Sequence, residues 1–131
     1  MSDPKLARVL LAAAERDMTA LCGMGDVNVF ANEIFGFHVQ PAAEKILKAN
    51  LALLGKPYPA THDLTRLFEL LKTHQPETEN RFGELIAYNP YAVQFRYSTS
   101  DPSLKPLDRD AAVQLLEAFL TWSRRNPAET E

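Results

Sequence analysis

The sequence predicts an all-α fold, an antiparallel bundle of four to five helices. Apolar residues recur at i, i+3, i+4 and i+7 along most of its 131 residues. No stretch shows the period-two alternation of a half-buried strand between turn signals. The connectors are mostly short and carry Gly or Pro, so successive helices fold back on one another. The length fits a single domain, 1–131, able to bury a core without disulfide or metal staples.

The first helix opens at Ser2-Asp3-Pro4, with Asp3 as N-cap and Pro4 at a position where its missing N–H costs nothing. Leu6, Val9, Leu10, Ala13 and Leu21 are expected on its core face, and Gly23 and Gly25 end it. The second and longest helix is read from about Val27, with Asp26 as candidate cap, to Leu54. Phe35, Val39, Ala43, Ile46, Asn50 and Leu53 form its stripe, Pro41 is expected to kink it, and Gly55 stops it. A third helix starts at Thr61-His62-Asp63, runs on Leu64, Leu67, Phe68 and Leu71, and ends by Pro76. The segment from Glu77 to about Tyr97 reads as two helical pieces around Pro90. Asp108 caps the last helix, whose core face is Ala112, Leu115, Leu116, Phe119 and Leu120, and Asn126-Pro127 stops it.

Composition narrows the function. With 14 Lys+Arg against 17 Asp+Glu the formal net charge is −3, which argues against a general nucleic-acid coat and leaves room for a local basic pocket. One cysteine, Cys22, excludes an intramolecular disulfide and a cysteine-based zinc site, and fits a reducing cytoplasm. The N-terminus carries charges throughout, so no signal peptide is expected, and no window approaches the ~18 apolar residues of a membrane span.

No phosphate loop, nucleophile elbow or HExxH pair is present, and Gly23-Met24-Gly25 lacks both a preceding strand and the remaining glycine spacing. His62 and Asp63 are adjacent and point to different helix faces, a poor metal clip. No metal or cofactor is therefore expected. The informative stretch is Phe37-His38-Val39-Gln40-Pro41-Ala42-Ala43-Glu44-Lys45-Ile46-Leu47-Lys48-Ala49. His38, Pro41, Lys45 and Lys48 fall within an arc of about 80° on one side of a helix. Two ammonium groups and an imidazole on one stripe suit a phosphate; the plainer reading is that Glu44 and Lys48 form a solvated i,i+4 pair.

This string, FHVQPAAEKILKA, resembles the central helix signature of HEPN domains, close to FHxQQAAEKxLKA. Thr61-His62-Asp63-Leu64 at the opening of the next helix and Phe95-Arg96-Tyr97 after the interrupted fourth helix resemble two further family elements. The likeness runs from about residue 5 to 125. It implies a small helical bundle, commonly a homodimer, often encoded beside a minimal nucleotidyltransferase. Other members are metal-independent, often toxin-like endoribonucleases with an Arg followed four to six residues later by His. The resemblance makes Arg96 the motif arginine, yet no His follows His74, and Gln40-Pro41 replaces the paired glutamines.

The expected function is a non-catalytic HEPN-type module, a homodimer binding a nucleotide, an RNA phosphate or a nucleotidyltransferase. Lys45, Lys48 and Arg96 are the expected phosphate contacts, with Tyr97 or His38 near the base or sugar. One alternative is a ribonuclease whose base is Asp101, or His38 or His62 from a second subunit. Another is a structural homodimeric adaptor. The dimer expectation rests also on clustered aromatics, Phe30, Phe35, Phe37, Tyr88, Tyr91, Phe95 and Tyr97, more than one small bundle would cover.

Overall fold

The computed structural model describes residues 2–94 and 107–125. In chain order they form α1 (Pro4–Cys22), α2 (Asn32–Leu53), α3 (Leu64–Lys72), α4 (Glu77–Phe82), a 3-10 segment (Gly83–Tyr88), the single turn α5 (Tyr91–Gln94) and α6 (Arg109–Arg124). No strand occurs among the described residues, and none of their helices is long and apolar enough to cross a membrane.

Local chemistry sets most boundaries. Asp3 Oδ1 accepts from the Leu6 amide with Pro4 at the first helical position, Asp63 Oδ1 accepts from Thr65, and Asp108 Oδ1 accepts from Ala111. At the end of α2 the Lys56 amide donates to the Leu51 carbonyl and that of Gly55 to Ala52. Gly55 has φ 70°, the left-handed conformation this paired cap requires.

α2 is the centre of the bundle. It packs against α1, α3, α5, the 3-10 segment and α6, and buries Phe35, Val39, Ala43, Ile46, Leu47 and Leu51 completely. The Asp3 amide donates to the Ala52 carbonyl (2.8 Å), fixing the start of α1 to the end of α2. The helix runs on through Pro41, which removes one backbone donor without breaking it. At Gly36 the ring of Tyr91 lies so close that any Cβ would overlap its Cγ and Cδ1. This glycine lets α5 sit directly on the α2 backbone.

Several expectations are corrected. α2 begins at Asn32, because the Asp26 side chain closes a turn on the Asn28 amide and its carbonyl accepts from Val29 and Phe30. The core stripe of α1 is Ala7, Leu11, Ala14, Met18 and Leu21, while Leu6 and Val9 are exposed. α3 ends at Lys72, and Pro76 opens α4 instead. The fourth segment breaks first at Gly83, where the α-helix tightens into 3-10 geometry, before the interruption at Pro90. Leu115 is only half-buried. Of the clustered aromatics among the described residues, Phe35, Tyr88 and Tyr91 complete the monomer core and Phe30 and Phe37 are half-buried, so none of these five is fully exposed. Phe95, Arg96, Tyr97, Asp101 and the Asn126-Pro127 stop lie outside the described residues.

Arg109 opens α6 at the positive end of its dipole, an unfavourable place for a cation, and is buried. Its guanidinium donates to the carbonyls of Met24 (2.8 Å) and Phe30 (2.6 Å) and to Asn32 Oδ1 (3.0 Å), and stands 5.0 Å from the Phe35 ring centroid. It ties the 23–31 connector and the start of α2 to α6. Replacing Arg109 with Met should lower stability by about 2–3 kcal/mol, since charged hydrogen bonds to buried carbonyls are lost. Lys, lacking the planar fork, should rescue only part of it. Urea denaturation of the three proteins checks this, and an unchanged midpoint in the Met variant would contradict it.

Candidate functional site

The polar centre of the fold lies where α2 meets the start of α3. Helical spacing puts Gln40, Glu44 and Lys48 one turn apart on a single side of α2. The Glu44 carboxylate is largely withdrawn from water, its side chain 11% exposed. It accepts from Lys48 Nζ (2.8 Å), from His62 Nδ1 (2.8 Å) and from Gln40 Nε2 (3.2 Å). Gln40 also donates to the His62 carbonyl (2.6 Å), so α2 holds both the backbone and the ring of His62. The Lys48 ammonium stands 5.4 Å from the Tyr58 ring centroid, which closes the site toward the 54–63 connector.

The His62 side chain is 76% exposed. A carboxylate on Nδ1 requires the proton there, so the neutral ring presents Nε2 outward as an acceptor. The neighbouring backbone is fixed as firmly. Asn89 accepts from the Leu64 amide (2.7 Å) and donates to Asp63 Oδ1 (2.8 Å) and Thr65 Oγ1 (3.2 Å). The first turn of α3 is thereby capped twice, and the chain just before α5 is bound to it.

Each expected site residue in the described part is placed. Lys45 and Lys48 are on α2 but face different partners: Lys45 pairs with Asp17 of α1 (2.6 Å) and Lys48 with Glu44. The Glu44–Lys48 pair is not the solvated helix pair that its spacing alone suggests, because α3 and its connector cover it. His38 is half-buried with its ring edge-on to Phe37 (centroids 5.7 Å apart, 75°). Arg96 and Tyr97 lie outside the described residues. Gln40 and His62 were not assigned to the ligand site from sequence. The adjacent cap Asp63 was a local sign that His62 opens α3, but no periodicity links residue 62 to residue 44. Among the described residues no three or more His, Cys, Asp or Glu side chains are gathered to hold a metal ion.

Burial pushes the Glu44 carboxyl up, yet the hydrogen bonds from Lys48, His62 and Gln40, with the Lys48 charge, outweigh burial and hold it below its ordinary value of 4.5. In this helical bundle a buried carboxylate joins a lysine to an exposed histidine where α2 meets the start of α3. Residues 7–126 match the HEPN domain family, and the chain belongs to it. No curated protein and no solved structure matches the chain.

A folded-state value below the unfolded one means that Glu44 stabilises the fold fully above the unfolded value, and that this contribution fades as pH falls through the folded value. Glu44→Gln should lower stability by about 2 kcal/mol near neutrality, since one amide cannot serve three donors and Lys48 loses its counter-charge. The deficit should shrink as pH falls below the ordinary carboxylate range, where the wild-type carboxyl takes up its proton. Denaturation midpoints of both proteins across the acid range test this; a constant deficit would contradict it.

Proposed function

We propose that this chain acts as a single, non-catalytic HEPN-type module which, as a homodimer, binds a nucleotide or RNA phosphate. His62 carries the reading: an exposed imidazole, locked by Glu44 and Gln40, beside Lys48. With its ring and its carbonyl both held from α2, the exposed imidazole is fixed in place before any ligand arrives. Lys45 and Lys48 spend one donor each on a carboxylate, and an ammonium has three, so both retain donors for phosphate oxygens. Arg96 follows α5 by two residues and supplies a charge that a guanidinium never gives up. His38 and Tyr97 take the base or sugar. The lack of any histidine after His74 supports a binding rather than a cleaving role. A minimal nucleotidyltransferase is the protein partner such a module would serve.

A second reading rests on the same dyad. A neutral imidazole with a carboxylate on Nδ1 and a free Nε2 is the arrangement of a general base, so His62 is the residue through which this chain would cleave RNA.

One experiment separates the readings: labelled single-stranded RNA or nucleotide is titrated with protein in chelator near neutral pH, with anisotropy and gel analysis together. The expected result is saturable binding without cleavage. His62→Ala and Arg96→Ala should each weaken it by about tenfold, the worth of one charge-assisted contact. Cleavage lost in His62→Ala would establish the ribonuclease reading, and a dimer with no binding the adaptor. Light scattering should give twice the chain mass of 14.7 kDa; a monomer would refute the dimer.

A further inference from the structure

A groove of about 510 Å³ runs between α4 and the outer face of α6, away from the polar junction of α2 and α3. Glu117, Thr121, Trp122 and Arg125 line it from α6, and Arg81 from α4. The α6 residues recur at i, i+4, i+5 and i+8, so they share the side next to the core stripe. None of Gln40, Glu44, Lys48 or His62 contributes to it.

Two features come together in the groove. The first is a held aromatic surface. Trp122 is half-buried, with its ring 5.8 Å from Phe82 and 6.3 Å from Phe119 between centroids, and those two rings stack at 4.4 Å. One side of the indole is therefore fixed by the core while the remainder lines the groove. The second is uncompensated charge. Arg124 is paired with Glu15, Lys45 with Asp17 and Lys48 with Glu44. Arg81 and Arg125 have no carboxylate or hydrogen-bond partner among the described residues. The Arg81 guanidinium lies 5.0 Å from the Phe82 ring centroid, in contact with the cluster that holds Trp122.

We propose that this groove is a second binding site, for a nucleotide. The base lies against Trp122, where stacking tolerates any base. The phosphate is taken by Arg81 and Arg125, whose planar donors match its oxygens. Glu117, the one carboxylate of the groove, accepts from a ribose hydroxyl or an exocyclic amine. The two guanidinium groups together carry the two positive charges that a phosphate monoester, close to dianionic near neutral pH, calls for. The volume falls within the roughly 300–1,000 Å³ of small-ligand sites. An acidic peptide would answer the two arginines but would leave the indole and Glu117 without a role.

Trp122 is the single tryptophan of the chain, so its emission reports on the groove alone. The full-length protein, excited at the red edge of indole absorption, is titrated with AMP, adenosine, ribose 5-phosphate and a poly-glutamate peptide. AMP should quench saturably, with Kd on the order of 1 mM or tighter. Adenosine and ribose 5-phosphate should each bind about tenfold more weakly, since each lacks one of the two recognised groups. Arg81→Gln and Arg125→Gln are surface changes that should leave the melting temperature unmoved. Each should weaken AMP by about tenfold, and the pair should abolish saturation, while Lys72→Gln, which removes an exposed cation of α3 outside the groove, should leave the titration unchanged. No quenching by AMP, equal quenching in the double variant, or stronger binding of the peptide would overturn the proposal. Equal weakening in Lys72→Gln would also overturn it, by reducing the effect to general charge; the α2–α3 junction is tested separately by the RNA titration.

Discussion

A carboxylate taken out of water must be met by donors, and Glu44 meets three. Much of the architecture follows from how those donors are supplied. Gln40 and Lys48 come from α2 itself and cost the fold little beyond helicity. His62 is 18 residues away in sequence and comes only if the 54–63 connector returns along α2. That return begins at Gly55, whose left-handed turn reverses the chain at the end of α2. Once His62 is held, Asp63 is in place to cap α3, and Asn89 closes on the same turn. The order of α2, α3 and α5 around the junction is thus set by one buried charge, with Gly36 providing the clearance that lets Tyr91 dock.

The other polar links of the interior do similar work at other crossings. Asn50 donates to the Ile46 carbonyl and to Ser123 Oγ, both groups fully buried, which joins α2 to the last turn of α6. Arg109 joins the first turn of α6 to the start of α2. The two ends of α6 are therefore both registered against α2 by hydrogen bonds, and the apolar residues between them fill the space so defined. Apolar contacts favour burial without choosing a register. Hydrogen bonds to buried groups exclude the alternatives, because a slipped helix would leave donors and acceptors unmet.

This division explains what the sequence made legible. Helix class, the caps Asp3, Asp63 and Asp108, the stop at Gly55 and the Glu44–Lys48 pair all depend on residues within five positions of one another, and local spacing exposes them. The turn at Asp26 is equally local, but the same residue type caps helices and closes Asx turns, and only the position of α2 decides between them. The stripe of α1 was misjudged because Leu6 and Val9 fit helical spacing too, and only the packing of the bundle turns Ala7, Leu11, Ala14 and Met18 inward instead. The Glu44–His62 contact and the Arg109 cage were beyond local reading, since each joins residues from separate elements whose packing no periodicity encodes.

The distribution of charge then separates two kinds of polar surface. On α2 every expected phosphate contact is already answered by a carboxylate, so an anion arriving there meets dipoles and spare donors more than free charge, and recognition depends on geometry. The outward Nε2 of His62, fixed from behind, supplies that geometry. Between α4 and α6 the arginines have no carboxylate partner among the described residues, and a fixed indole stands beside them. In a chain of net charge −3, a local excess of cation stands against the overall field and cannot be attributed to general basicity. On the two readings proposed above, a junction organised by hydrogen bonds and a groove organised by free charge would read different features of a ligand: the first the orientation of a phosphate or hydroxyl, the second its charge and a stacked ring. Their different pH and salt responses follow directly: screening should weaken the groove first, while acid should disturb the junction first, through Glu44.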